Sequence, residues 1–188
     1  MSASLSSHAQ VVIIGGGVHG LATAYYLTKL GVSSIAVLEA KYLGFGASGR
    51  NTAIIRSNYR TPDGIAFYDH SLKLYEQLAG ELDYNIMFSQ RGHLTLGHTE
   101  SSVIGLRERA NTNQLMGVDS RLIFADEIRR LVPEMRLNGA MRYPVLAALY
   151  HPPGGIIRHD AVVWAFARGA DRGGVHVHQQ TEVTGIEV

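Results

Sequence analysis

The sequence has 188 residues, a formal net charge of +1 at pH 7 and no cysteine. A chain of this length holds one sizeable core, or one domain with part of another, and its near-neutral charge provides no basis for binding nucleic acid or an anionic membrane. The lack of cysteine excludes disulfides and thiolate metal sites, and it fits a cytoplasmic location.

The first ten residues, MSASLSSHAQ, lack the basic and apolar regions of a signal peptide, and no apolar segment approaches membrane-spanning length. We therefore expect a soluble protein without a membrane partner. A strand near the C-terminus places His176 and His178 on one face, but no third ligand is spaced to join them, so no metal site is predicted.

A strand, a glycine-rich turn and a helix follow one another between Val11 and Gly31. Val11–Ile14 is apolar and mostly β-branched, as in a parallel strand that is buried on both faces. Gly15, Gly17 and Gly20 form the pattern G-x-G-x-x-G, in which the glycines allow a tight turn, admit a pyrophosphate and let the helix pack on the strand. The pattern predicts a dinucleotide site, with Gly31 ending the helix.

The second predicted strand, Ser34–Leu38, ends at Glu39, about 20 residues beyond the glycine motif. A carboxylate at this position accepts hydrogen bonds from the adenosine ribose hydroxyls and repels a 2′-phosphate. Glu39 therefore favours FAD or NAD over NADP, and it leaves the choice between FAD and NAD open.

A small, polar, glycine-rich segment, Tyr42–Arg60, follows the ribose strand and predicts a functional loop that contains a short helical turn. Ser48, Arg50, Asn51 and Thr52 lie in this loop, where they could contact a pyrophosphate or a flavin ring. An ordinary solvated loop is the alternative interpretation.

The rest of the chain predicts further helices and strands. Helices are expected over residues 65–80, Ser101–Met116 and Ala125–Leu131, and in a last helix that Asp160 caps and that runs to Gly173. Strands are expected over Gln90–Leu96, Arg142–Tyr150, Val175–Val177 and Glu182–Val188.

The segments GGGVHG, VLEA and GFGASGRNT resemble the glycine motif, ribose glutamate and following loop of the D-amino-acid-oxidase-type family of flavoproteins. Within that family the chain is similar to the β subunits of bacterial heterotetrameric sarcosine oxidases. The similar segments cover nearly the whole chain from Val11 onward: VHGLATAYYL, RNTAIIRSNY, SLKLYEQL, FSQRGHL, RYPVLAALYHPPGGIIRHD, VVWAFARGAD and QTEVTGI.

The resemblance implies an α/β fold, with a glutathione-reductase-like FAD-binding Rossmann domain and part of an antiparallel-sheet substrate domain. It places the first segment of the FAD-binding domain at residues 1–82, part of the substrate domain at 83–150, and the return to the FAD-binding domain, with a flavin-attachment helix, at 151–188. The family chain is about twice as long, so the sequence is expected to be truncated.

The resemblance also implies the cofactor residues. Non-covalent FAD would be held by Gly15, Gly17, Val18, His19, Gly20, Glu39, Ala47, Arg50, Asn51, Thr52 and Val183. Many β subunits carry an asparagine at the position of Ala47, so a side-chain contact is missing there or is replaced by Ser48. A covalent FMN would be carried by His159, where the helix start and neighbouring Arg158 favour a neutral, nucleophilic imidazole.

The implied activity is oxidative demethylation of sarcosine, a small amino-acid substrate, by hydride transfer to FAD. Electrons would then pass to the FMN and to oxygen, and the other subunits of a hetero-oligomer would be the partners. One alternative is a related FAD-dependent amine or imino-acid dehydrogenase without FMN. The other is a truncated nucleotide-binding module without catalysis, and no catalytic acid or base is assigned.

Overall fold

The computed structural model describes residues 8–137 and 141–187. The chain divides into two compact units. The first unit comprises Met1–Ala53, Leu78–Met87 and Ile157–Val188, and the second comprises Ile54–Gln77 and Phe88–Ile156. The predicted mixed α/β fold is confirmed, because one unit contains a parallel sheet and the other an antiparallel sheet.

The first unit is built on a three-stranded parallel sheet of order β1-β2-β8. Its elements are β1 (Val11–Ile14), α1 (Val18–Lys29), β2 (Ile35–Leu38), a 3₁₀ turn (Ala47–Gly49), α5 (His159–Arg172) and β8 (His176–His178). Helices α1 and α5 pack together through apolar faces, with the rings of Tyr25 and Phe166 in edge contact at 5.9 Å. This packing buries Leu21 and Val162 almost completely.

Two predictions for this unit are correct in outline. Helix α1 follows the glycine turn, and Gly31 adopts a left-handed φ of 87° just beyond its end, as expected for a terminating glycine. Helix α5 is present, but the prediction that Asp160 caps it is wrong. Arg158 occupies the N-cap position, and the Asp160 carboxylate lies in the first turn, where it accepts hydrogen bonds of 2.8 and 3.1 Å from the Arg158 guanidinium.

The predicted strand Glu182–Val188 is also wrong for its described residues, and Val188 lies outside them. Gln180 takes a left-handed φ of 55°, which turns the chain out of the direction of β8. Backbone bonds then tie Gln180 to Lys41 and Thr181 to Glu39. Residues 182–187 consequently have no neighbouring strand in the described chain to complete a ladder.

The second unit contains the antiparallel sheet β4-β6-β5 and a separate two-stranded ribbon, β3 with β7. Its strands are β3 (Ile54–Ile55), β4 (His93–Gly97), β5 (Arg121–Ile123), β6 (Ala147–His151) and β7 (Gly155–Ile156). Its helices are α3 (Glu100–Leu115), α4 (Ala125–Leu131) and most of α2 (Pro62–Leu82), whose last residues belong to the first unit. The apolar side chains of Ile123, Ile128 and Ala148 form one part of its core.

Local chemistry explains where these elements begin. Strand β6 starts at Ala147 rather than at the predicted Arg142, because Pro144 cannot donate a ladder hydrogen bond. Helix α3 starts with a capping box, in which Thr99 and Ser102 each bond the other's backbone N–H. Strands β3, β5 and β7 were not predicted, because two or three residues are too few to establish a periodic pattern.

Two histidines face each other across the antiparallel sheet, His93 on β4 and His151 on β6. His151 is fully buried, and its Nδ1 lies 2.7 Å from the Asp119 carbonyl while its Nε2 accepts the Ser57 N–H at 3.2 Å. Burial lowers the pKa of His151, and burial, reinforced by the positive Arg56, lowers the pKa of His93 to about 4. Both rings are therefore neutral at pH 7.

These histidines predict an acid-sensitive fold. The pKa of His93 is about 4 in the folded state against an ordinary value of 6.5, so the unfolded chain binds more protons within that window. The stabilisation is complete above about pH 6.5 and is lost as the pH falls toward about 4. We expect the urea midpoint to fall over this range, and His93→Gln to flatten the fall. The exposed His70→Gln variant is the control, and an unchanged slope in His93→Gln would contradict the assignment.

Candidate cofactor site

The glycine turn joins β1 to α1 at the carboxyl edge of the parallel sheet. Gly15 has a φ of 110°, and a Cβ atom on Gly20 would overlap the Gly15 carbonyl oxygen. Gly17 is the N-cap residue of α1, so the first N–H groups of the helix open at the turn. This geometry is the anion-binding arrangement that the glycine pattern predicts.

Gly16 has a role that the sequence interpretation missed. A Cβ atom on Gly16 would lie 2.6 Å from Leu43 Cδ2 and 3.0 Å from Glu39 Cβ, so a side chain does not fit there without displacing its neighbours. The Gly16 N–H donates to Glu39 Oε2 at 2.8 Å. The middle glycine therefore brings the turn against the end of β2.

Glu39 is held in place by backbone donors on both of its carboxylate oxygens. Oε2 accepts the Gly16 N–H, and Oε1 accepts the Lys41 N–H at 2.8 Å. A carboxylate oxygen accepts more than one hydrogen bond, so both oxygens retain capacity for ribose hydroxyls. The structure thus fixes the orientation of the predicted ribose carboxylate beside the glycine turn.

Ser48 lies in front of the α1 N-terminus. Its Oγ accepts the Val18 N–H at 2.9 Å and would lie 3.0 Å from a Cβ atom on Gly17. The hydroxyl therefore occupies a donor that a pyrophosphate would use. His19, on the first turn of α1, is exposed, so its side chain faces solvent in the described chain.

Asn51 braces the loop from within. Its Nδ2 donates to the carbonyls of Ala47 and Ser48 at 3.1 and 2.7 Å, and its Oδ1 accepts the Ala53 N–H at 2.7 Å. These bonds give Asn51 a role in shaping the 3₁₀ turn whether or not it also touches a cofactor. Ala47 and Thr52 are exposed on either side of it.

Val183 lies in the irregular segment after β8 and is half-buried. Two residues before it, the Thr181 N–H donates to the Glu39 carbonyl at 2.9 Å. The segment is therefore tied to the strand end that carries the ribose carboxylate. The backbone contact to the adenine edge stays a prediction.

A second feature of the first unit is a cavity of about 290 Å³. It is lined by Arg50, by His159 at the start of α5 and by Trp164 one turn later on the same helix. Trp164 is 49% exposed on the amphipathic helix α5, and it also lines a neighbouring cavity of about 370 Å³ with Tyr84. Nothing in the helical pattern of the sequence distinguishes Trp164 from a core residue, so its exposure is evident only in the structure.

The His159 ring has an unusual environment. Its Nδ1 is buried and has no hydrogen-bond partner among the described residues. The predicted electrostatic effect of Arg158 needs correction, because the Arg158 guanidinium is engaged in a two-bond ion pair with Asp160. The helix start, rather than Arg158, is therefore the feature that disfavours a positive ring.

The second unit carries an arginine cluster, defined as Arg56, Arg60 and Arg109. These side chains line a cavity of about 310 Å³ with Tyr59, and none forms an ion pair with a carboxylate of the described residues. Burial, with the nearby Arg56 and Arg60 charges, lowers the pKa of Arg109 to about 10. The cluster therefore favours an anionic ligand.

The described residues contain no helix that is both long and apolar enough to cross a bilayer. They also contain no group of three or more histidine or acidic side chains arranged to hold a metal ion. The rings of His176 and His178 lie 6.4 Å apart on β8, nearly parallel to each other.

Residues 10–188 match a protein family described as FAD dependent oxidoreductase. The chain is 47% identical over 180 residues to the sarcosine oxidase subunit beta of Rhizobium meliloti (strain 1021), covering 95% of this chain and 43% of that protein. It is 48% identical over 177 residues to the sarcosine oxidase subunit beta of Arthrobacter sp, covering 94% and 44%. The structure is similar to the crystal structure of L-proline dehydrogenase from P. horikoshii, with a TM-score of 0.87 and 26% sequence identity. The similarity covers 96% of this chain and 46% of that chain. The chain spans less than half the length of each of these proteins.

The two backbone bonds of Glu39 predict the effect of replacing it. In Glu39→Gln one of the two carboxylate oxygens becomes an NH₂ group. This donor faces the N–H of Gly16 or Lys41, so one of the two backbone hydrogen bonds is lost. We expect FAD binding to weaken by about 1–3 kcal/mol, measured by flavin titration of the full-length apoprotein. Glu81→Gln, whose carboxylate contacts only the exposed Tyr26 hydroxyl, is the control. Unchanged affinity in Glu39→Gln would place the ribose elsewhere.

Proposed function

Because this chain belongs to the family of FAD-dependent oxidoreductases, we propose that it is part of an enzyme that oxidises the N-methyl group of sarcosine. The observation that carries this proposal is the 47–48% identity to two sarcosine oxidase β subunits over nearly the whole chain. The predicted family and the Rossmann-type fold are confirmed. The substrate and the full electron path are the proposed part.

The first unit supplies the residues that would hold FAD without a covalent bond. The α1 N-terminus would receive the pyrophosphate at Gly17 and Val18, and Glu39 would accept the ribose hydroxyls. A Cβ atom at Gly16 or Gly20 would meet neighbouring atoms, so these glycines allow the tight turn that would hold FAD. FAD, when bound, would accept the hydride that leaves the N-methyl carbon with its electron pair, the amine would lose a proton, and water would hydrolyse the resulting imine to glycine and formaldehyde.

The environment of His159 supports a covalent FMN. A ring nitrogen without a protein partner is free to form a bond, and the adjoining cavity is lined by aromatic side chains and one arginine. His159 stands at the start of α5, whose apolar face is packed against α1, so the ring is carried by a rigid element. We propose that electrons reach oxygen through the flavin attached there.

The second unit contains the antiparallel sheet, and we assign it to the substrate domain. Its arginine cluster has the positive charge needed to bind the carboxylate of a small amino acid. The partners would be the other subunits of a hetero-oligomer, because the two relatives at 47% and 48% identity are named as subunits. A cytoplasmic location is proposed from the cysteine-free sequence.

The second candidate is an FAD-dependent amine or imino-acid dehydrogenase that lacks FMN. It is favoured by the similarity to the P. horikoshii L-proline dehydrogenase over 96% of this chain. The two candidates share the glycine turn and Glu39, so these residues do not separate them. His159 does, because only the first candidate requires a flavin on its ring.

We expect His159→Asn to abolish the covalent attachment of FMN and to leave the binding of FAD unchanged. Asparagine keeps a polar group at the helix start but has no ring nitrogen for attachment, whereas the FAD cradle lies in the glycine turn. In the full-length protein produced with its partner subunits, acid precipitation should release FAD from both wild type and variant. Only the wild type should retain flavin in the precipitate.

The attachment is located by mass spectrometry of the tryptic peptide from His159 to Arg168. The exposed His176→Asn variant, in the same unit, should keep the modified peptide. A wild-type complex whose precipitate retains flavin while this peptide is unmodified would contradict attachment at His159. A complex with only acid-extractable FAD would favour the dehydrogenase.

A further inference from the structure

We infer that Arg50 binds the phosphate of the flavin carried by His159, rather than the pyrophosphate of FAD. The inference rests on the proposed attachment of FMN and names a residue that its site would require. The sequence resemblance placed Arg50 with the FAD loop, because it directly precedes Asn51 and Thr52. The structure instead places Arg50 and His159 on the wall of one cavity.

Packing between the loop and α5 brings these distant positions together. Gly44 has a φ of 77°, and a Cβ atom there would lie 3.2 Å from Val163, so the loop lies directly on the helix. Val163 follows His159 by one turn, and both line the cavity with Arg50. Among the described residues, neither Glu39 nor any residue of the glycine turn lines this cavity.

The charges around the cavity favour an anion beside Arg50. The Arg50 guanidinium has no carboxylate within ion-pair distance among the described residues. Asp160 is the acidic side chain on the wall, and its charge is offset by the two-bond pair with Arg158. The cavity therefore retains one uncompensated positive charge, and an FMN phosphate carries about −1.5 to −2 at pH 7.

The orientation of Arg50 suits a phosphate contact. Its guanidinium carbon lies 4.3 Å from the centroid of the Phe45 ring, so one face is covered by the aromatic ring. Contact with a ring face leaves the N–H groups in the guanidinium plane free to donate, and the exposed Arg50 side chain forms no hydrogen bond or ion pair with the described residues. A planar edge of free donors is the arrangement with which arginine binds phosphate in a bidentate manner.

FAD has other donors for its pyrophosphate. The N-terminus of α1 opens at Gly17, and the Ser48 hydroxyl, whose Oγ accepts the Val18 N–H at 2.9 Å, still has its own O–H to donate to a phosphate. These groups are neutral, as in other glycine-turn sites where the helix N-terminus stabilises the phosphates. Arg50 is thus available to the second flavin.

The test compares Arg50→Gln and Arg50→Lys in the complete complex produced with limiting flavin. We expect Arg50→Gln to reduce the fraction of flavin-modified His159 peptide about tenfold or more, with acid-extractable FAD unchanged. Arg50→Lys should retain part of the modification, because it keeps the charge but loses the fork of donors. Arg172→Gln, on the same helix but paired with Asp83, is the matched control: it leaves the tryptic peptide His159–Arg168 intact and should behave as the wild type.

A second measurement identifies the phosphate. Flavin-depleted wild-type complex should take up FMN in preference to riboflavin, which lacks the phosphate, and Arg50→Gln should reduce that preference about tenfold. Loss of FAD with retention of FMN in Arg50→Gln, or no change in either flavin, would overturn the inference. An unmodified His159 peptide in the wild type would instead refute the proposed attachment itself, so the two failures are distinguishable.

Discussion

The carboxylate of Glu39 accepts backbone N–H groups from Gly16 in the glycine turn and from Lys41 just beyond β2. These bonds hold the ends of two adjacent parallel strands in a fixed relation, and a glycine at position 16 favours them because a Cβ atom there would press on Leu43 and Glu39. The anion-binding end of α1 and the ribose carboxylate are consequently positioned by the same contact. A cofactor binds well to such a site because little ordering remains to be done on binding.

Helix α5 has two faces with different physical tasks. Val162 and Phe166 are buried against the first unit's core, which holds the helix in place. His159 and Trp164 lie on the side that lines the cavities, and there a ring nitrogen lacks a partner and an indole is half-exposed. An unsatisfied buried nitrogen and an exposed large aromatic ring both cost free energy, and the flavin proposed for this cavity would cover both.

The second unit contains two kinds of polar group, a buried histidine and a cluster of arginines. His151 is fully satisfied by a carbonyl and an N–H, and its lowered pKa reflects a neutral ring that belongs to the core. Arg56, Arg60 and Arg109 instead surround a cavity without carboxylate partners in the described chain. Like charges that lie close together repel one another, and an anionic ligand would relieve that repulsion, so His151 is a structural group and we propose the arginine cluster as a binding feature.

Sequence alone determined the features that depend on neighbours along the chain. The strand, turn and helix around Gly15 and Gly20 were predicted because their spacing and residue types act within a few residues, and α5 was predicted because its apolar positions recur at helical spacing. Its first residue was misassigned, since Asp160 has the chemistry of a cap but is drawn into an ion pair with Arg158.

Only the tertiary structure decided which distant groups meet. The bond from Gly16 to Glu39 and the shared cavity of Arg50 and His159 join positions that no local pattern relates, because they arise when the loop packs on α5 and the turn packs on β2. The short strands β3 and β7 likewise depend on pairing between distant segments, with Ile156 of β7 also bridging to Ser89. Hydrogen-bond ladders and side-chain packing across the fold set these contacts, whereas residue spacing specifies only the elements that make them.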